Sequence, residues 1–208
     1  MATRKVDFRK VYNQLYTAGS DPVMVEAPEL PFLMADGAGG PETAGYRAAV
    51  EALYGVAYAV RFALKDGPDA LEYRVMPLQG RWWNADGGKA AAADRSLWRW
   101  SMMLLQPPQA TVELVEQAAT KVRRSRPAAA VDAVRLDRLA EGRCAQVLHT
   151  GPYREEGPTI DRLHAFIRAQ GCVVAGRHHE IYLSDPARTA PDWLRTIIRY
   201  PVAARQRK

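Results

Sequence analysis

Hydrophobic positions near the start of the chain recur with a helical period. Phe8, Val11, Tyr12 and Leu15 lie three and four residues apart, which predicts a short docking helix over about residues 7–17 that stops before Gly19. Prolines at 22, 28 and 31 then forbid a helix, and Pro31 to Ala35 reads as a strand inside an extended run from Pro22 to Asp36. From Glu42 to about Leu64, Tyr46, Ala49, Val50, Leu53, Tyr54, Ala57 and Val60 keep to one face of a long helix. Two strands are predicted next, Leu71–Leu78 and Leu97–Leu105, joined by a Gly- and Ala-rich connection that carries Trp82 and Trp83.

After Pro107-Pro108 the order repeats. Val112, Val115, Ala119 and Val122 predict a linking helix over about 111–125, broken at Arg126-Pro127-Ala128. A strand from about Ala133 to Thr150 leads into Gly151-Pro152-Tyr153, and a helix with Pro158 in its first turn ends at Gly171. Strands follow at Cys172–Ser184 and Leu194–Pro201. The predicted fold class is therefore α+β: tandem βαββ repeats, about 20–108 and 131–204, within a single domain spanning 1–208. One such repeat is too small to bury a sheet face well. A pseudo-two-fold pair of antiparallel sheets, with helices on the outer faces, solves this and leaves a central ligand cleft.

Composition narrows the function. The chain has 208 residues, 48% of them hydrophobic, enough for a sizeable core. Cys144 and Cys172 lack the spacing of a disulfide framework or a zinc site, which predicts a reduced, cytoplasmic setting and no cofactor. No apolar run approaches the length of a membrane span, so no membrane partner is expected. The net charge of +6 raises nucleic acid as a partner, but the excess lies at the chain ends and over Lys121 to Arg126, where solvated surface explains it.

Two groups of residues could carry chemistry. Trp82, Trp83, Trp98 and Trp100 crowd into a short stretch, and alternation places Trp98, Trp100, Met102 and Leu104 on one strand face. They are either core or the aromatic wall of a site for planar or cationic ligands. In His178-His179-Glu180-Ile181-Tyr182, alternation sends His178, Glu180 and Tyr182 to one face and His179 and Ile181 to the other. A carboxylate in that position is costly to bury unless a site needs it, and an edge strand with a solvated polar side is the alternative. The adjacent histidines point apart and cannot chelate one ion together, so no metal site is expected. Tyr153, held in a Gly-Pro turn, could reach a ligand; Glu155 and Glu156 suit either a helix start or a ligand contact.

These residues resemble a known group. VDFRKVYNQLYT, EAPELPFLMADGAGGP, AVEALYGVAYAVRF, VMPLQGRWW, WRWSMMLLQP, EGRCAQVLHTGPYREEGPTI, GRHHEIYLSDP and TAPDWLRTIIRYPV make the chain similar to stand-alone GyrI-like small-molecule-binding proteins, from about residue 5 to 202. Their fold is shared with effector domains of multidrug-responsive transcription regulators. The resemblance implies multidrug-type binding of lipophilic, often cationic or planar compounds and a part in drug resistance. It assigns Glu180 as the acidic centre, with Tyr182, Tyr153 and His178 beside it and Trp82, Trp83 and Trp100 as walls. It implies a second activity, hydrolytic opening of the cyclopropane of DNA-alkylating natural products, for which Glu180 and Tyr182 would be catalytic. Gyrase contact is a third. With only about 20 residues before the first predicted strand, a one-component transcription regulator is not expected. The family pattern Leu-Glu-Gly-Leu-Trp-Trp reads Leu78-Gln79-Gly80-Arg81-Trp82-Trp83 in this chain, so Gln79 removes a carboxylate available to relatives.

Overall fold

A computed structural model describes residues 4–68, 70–86, 95–126 and 130–205. The elements in chain order are β1 (Arg4–Val6), α1 (Phe8–Val11), α2 (Asn13–Tyr16), β2 (Val23–Ala27), β3 (Leu30–Ala38), α3 (Ala44–Asp66), β4 (Leu71–Tyr73), β5 (Gln79–Asn84), β6 (Trp98–Leu105), α4 (Val112–Ser125), β7 (Arg135–Leu139), β8 (Gly142–Thr150), α5 (Gly157–Ala169), β9 (Cys172–Val174), β10 (His178–Tyr182) and β11 (Arg195–Ala204). The fold is α+β, as the repeating hydrophobic pattern predicted. Pro127 and Ala128 of the predicted helix break, and residues 87–94 of the predicted connection, lie outside the described residues.

The chain divides into two compact units, Met1–Val11 with Leu30–Leu139, and Tyr12–Glu29 with Ala140–Lys208. In the first, antiparallel strands run in the order β5, β6, β3, β7, and β1 pairs in parallel with β4. Helix α3 packs on β3 and β6, and α4 packs against α3. Both helices open on a threonine: Thr43 accepts from the Tyr46 N–H at 3.3 Å and Thr111 from the Leu114 N–H at 3.2 Å. In the second unit the order is β10, β11, β8, β2, with β9 on β11. Helix α5 covers this sheet, burying Leu163 and Ile167 against Ala145, Val147, Ile198 and Tyr200.

The two pairing orders match element for element: β5, β6 and β3 correspond to β10, β11 and β8, and α3 to α5. Their outer strands cross over. β2 directly precedes β3 in sequence yet pairs with β8, while β7 directly precedes β8 yet pairs with β3. The chain passes from one unit to the other at Val11/Tyr12, Glu29/Leu30 and Leu139/Ala140.

Five elements differ from the periodicity reading. The strand predicted over about Ala133 to Thr150 is two, β7 pairing with β3 and β8 pairing with β11 and β2. The first helix is two single turns, α1 and α2, interrupted at Tyr12. The strand predicted over Leu71–Leu78 is only β4, whose partner β1 offers three residues and ends opposite Tyr73. Trp82 and Trp83, placed by sequence in a connection, lie on β5, where Trp82 pairs across the ladder with Trp100. The strand predicted over Cys172–Ser184 is broken between β9 and β10, beside Pro201 of β11.

Candidate functional site

Register decides which side chains can meet. On the α5-covered face of the second unit, β10 presents His178, Glu180 and Tyr182, and β11 presents Tyr200 and Ile198. The alternation read from sequence holds, and the solvated-edge alternative does not: His178 and Glu180 side chains are only 9% and 14% exposed. His178 Nε2 lies 2.7 Å from Glu180 Oε1, and His178 Nδ1 lies 2.8 Å from the Tyr200 hydroxyl. An imidazole held at both nitrogens keeps one orientation, and it aims Nε2 at the carboxylate. The His164 ring, on α5, sits 4.9 Å from that of Tyr200.

Glu156 completes the cluster. Its backbone immediately precedes α5 in a helical conformation, φ −68° and ψ −21°, and its side chain makes no cap hydrogen bond. The residue is 6% exposed, and its Oε1 has no hydrogen-bond partner among the described residues. One ligand-capable atom from each of Glu156, His178 and Glu180 falls within 4.8 Å of the others. Burial, reinforced by the Glu180 charge, raises the Glu156 pKa to about 10. Two carboxylates this close cannot both ionise cheaply. Glu180 has the imidazole as a partner, so the shared proton resides on Glu156. Glu155, by contrast, is exposed and pairs with Arg154.

Tyr153 and Tyr182 border this cluster, their rings meeting edge to face at 5.9 Å. The turn that carries Tyr153 is fixed by Gly151, at φ +131°, whose N–H donates to the Leu194 carbonyl. His149 braces it, with Nε2 3.3 Å from the Pro152 carbonyl and Nδ1 3.1 Å from the Thr159 hydroxyl. Partial burial, then the Glu180 charge, pushes the Tyr153 hydroxyl up to about 12. Tyr200 is also raised, by burial and then by Glu180. Both phenols therefore stay protonated as hydrogen-bond donors.

The opposite face of the same sheet holds a different polar group. His179 points away from His178 and contacts Glu141 Oε2 at 2.8 Å. Arg199, 3% exposed, donates to Gln146 Oε1 and to the Leu15 carbonyl, while Gln146 donates to the carbonyls of Gln14 and Thr17. These bonds satisfy the end of α2, a structural task.

In the first unit, Trp82 and Trp100 share the face that α3 covers. Tyr46 stacks on Trp82 at 5.9 Å and meets Trp100 edge to face at 5.4 Å; Trp98 meets Trp82 at 5.6 Å. Trp82 and Trp100 are 6% and 2% exposed. Gly37 permits this packing, since a Cβ there would lie 2.2 Å from the Trp100 ring. Trp83, one residue along β5, projects from the opposite face with Gln79 and Arg81. Thus within the second unit the structure brings together His178, Glu180, Tyr182 and Tyr153, and within the first Trp82 and Trp100. Glu156 was ambiguous in sequence, and Tyr200 and His164 carried no signal there.

A family model for the GyrI-like small molecule binding domain matches residues 20–203. The chain belongs to this family. GyrI-like membership makes a small molecule its partner. Among solved structures, a conserved protein from Listeria innocua is 37% identical with a TM-score of 0.88, covering 95% of this chain and 100% of its own. A protein described as a hydrolase from Listeria innocua is 36% identical with a TM-score of 0.88, covering 96% of this chain and 100% of its own. The C-terminal domain of EcmrR, at 11% identity and a TM-score of 0.52, covers 88% of this chain and 98% of its own, and shares the fold. No curated protein matches the chain. Among the described residues no helix is long and apolar enough to cross a membrane.

Proposed function

We propose that this GyrI-like protein binds lipophilic compounds, preferentially cationic and planar ones, at the Glu180 cluster of the second unit. The observation that carries the reading is a largely buried carboxylate held by one histidine and bordered by two tyrosine rings. A cation over an aromatic ring gains roughly 0.5–2 kcal/mol, and a desolvated carboxylate adds attraction that demands no fixed hydrogen-bond geometry. Varied cations therefore suit the site. Replacing Glu180 by Gln should weaken binding of a rhodamine dye about tenfold, equivalent to about 1.4 kcal/mol. Fluorescence titration at constant ionic strength checks this, and an unchanged affinity removes the charge from the proposal.

A second reading is hydrolytic, supported by the name of a Listeria relative and by the pairing of a protonated Glu156 with Glu180. In a cyclopropane conjugated to a carbonyl, Glu180 would take a proton from water as its oxygen bonds to the ring methylene. The ring C–C bond breaks, its electron pair passes to the carbonyl oxygen, and Glu156 or Tyr182 hydrogen-bonds or protonates that oxygen. Incubation with such a compound should give a water adduct by mass spectrometry that is lost in Glu180→Gln. Turnover no faster than in buffer rejects catalysis while leaving binding intact.

A further inference from the structure

We propose that Glu156, His178 and Glu180 form a binding site for a divalent transition cation of the zinc class. The donor set is one imidazole nitrogen and two carboxylates, drawn from the start of α5 and from β10, with donor atoms mutually within 4.8 Å. Imidazole with carboxylate oxygens suits zinc, manganese(II) or cobalt(II) rather than soft, thiol-seeking ions.

A second observation is independent of that spacing. Glu156, 6% exposed, aims into the cluster with an oxygen that has no hydrogen-bond partner among the described residues. An orphan oxygen in that setting is costly, and a cation that takes the place of a proton between the two carboxyl groups satisfies it. The surroundings fit as well. A ligating histidine donates its other N–H to a fixed acceptor, and the Tyr200 hydroxyl stands 2.8 Å from His178 Nδ1 for that role. With the ring proton on Nδ1 facing Tyr200, Nε2, now 2.7 Å from Glu180, would offer its lone pair to the ion. The exclusion of a metal from sequence addressed only the adjacent histidines, and His179 does turn away to Glu141. The tertiary approach of Glu156 supplies the donor that strand alternation could not.

The test uses the tag-free full chain, stripped with a chelator and titrated with zinc against a chromophoric competitor, with metal content by elemental analysis. About one zinc per chain is expected, together with a rise in melting temperature. Glu156→Gln and His178→Ala should each weaken zinc binding at least about tenfold, and Tyr200→Phe about tenfold. Glu155→Gln, on the exposed neighbour, should leave it unchanged. Cobalt(II) should give visible absorption lost in His178→Ala, a signature that a mere folding defect in one variant does not produce in wild type. Zinc uptake absent from wild type, or equal in wild type and Glu156→Gln, overturns the proposal. A rhodamine titration of the stripped protein separates the cases. Dye binding without zinc binding removes the metal site alone; zinc binding without dye binding removes the organic-cation reading and leaves the metal.

Discussion

Corresponding places in the two units hold opposite chemistry. At the start of α3, Tyr46 packs with Trp82 and Trp100 in an aromatic cluster whose Trp100 indole nitrogen has no hydrogen-bond partner among the described residues. At the start of α5, Glu156 meets His178 and Glu180, and an oxygen is left without a hydrogen bond. One scaffold thus supports an aromatic cluster under one helix and a carboxylate–histidine cluster under the other. An orphan carboxylate oxygen is costly unless a partner relieves it, and on that ground the proposed site is assigned to the second unit.

The sharpest way to break this contrast is to remove a ring from the first cluster. Trp100→Ala should lower stability by about 3–5 kcal/mol, because it empties a buried indole volume beside Gly37 and Tyr46. Urea unfolding checks this; a loss below about 1 kcal/mol would deny the cluster its role in packing.

An effect of opposite sign is expected from the second cluster. In chelator-treated protein, Glu156 ionises near pH 4.5 when unfolded and near 10 when folded. Between those values the native state binds the additional proton, so its contribution to stability is complete at low pH and declines as pH rises. The slope for one proton is at most about 1.4 kcal/mol per pH unit. Glu156→Gln removes that decline and should gain on wild type from pH 5 to pH 9. Unfolding curves that run parallel across this range would mean that Glu156 does not hold its proton in the fold.

Much of the fold was legible because its signals are local. Tyr46 to Val60 display a helical period, and His178 to Tyr182 a strand alternation that correctly joined His178 to Glu180. β5 was missed because Gly80 and the small residues after Asn84 look like a loop, while the partner that holds it, Trp100, is distant in sequence. That shift also separates Trp83 from Trp82 and Trp100, which a loop reading had grouped. Glu156 was undecidable for a related reason: a carboxylate before Gly-Pro suits a helix start in any sequence, and only tertiary packing buries it.

The crossing of β2 and β7 has a consequence for how such a protein can be divided. Severing the chain between the two predicted repeats would send each outer strand off with the wrong fragment. Each piece would expose a raw ladder of backbone donors and acceptors along β3 or β8. Neither piece could serve as a self-sufficient module, and co-expressed fragments would regain their full sheets only by trading strands.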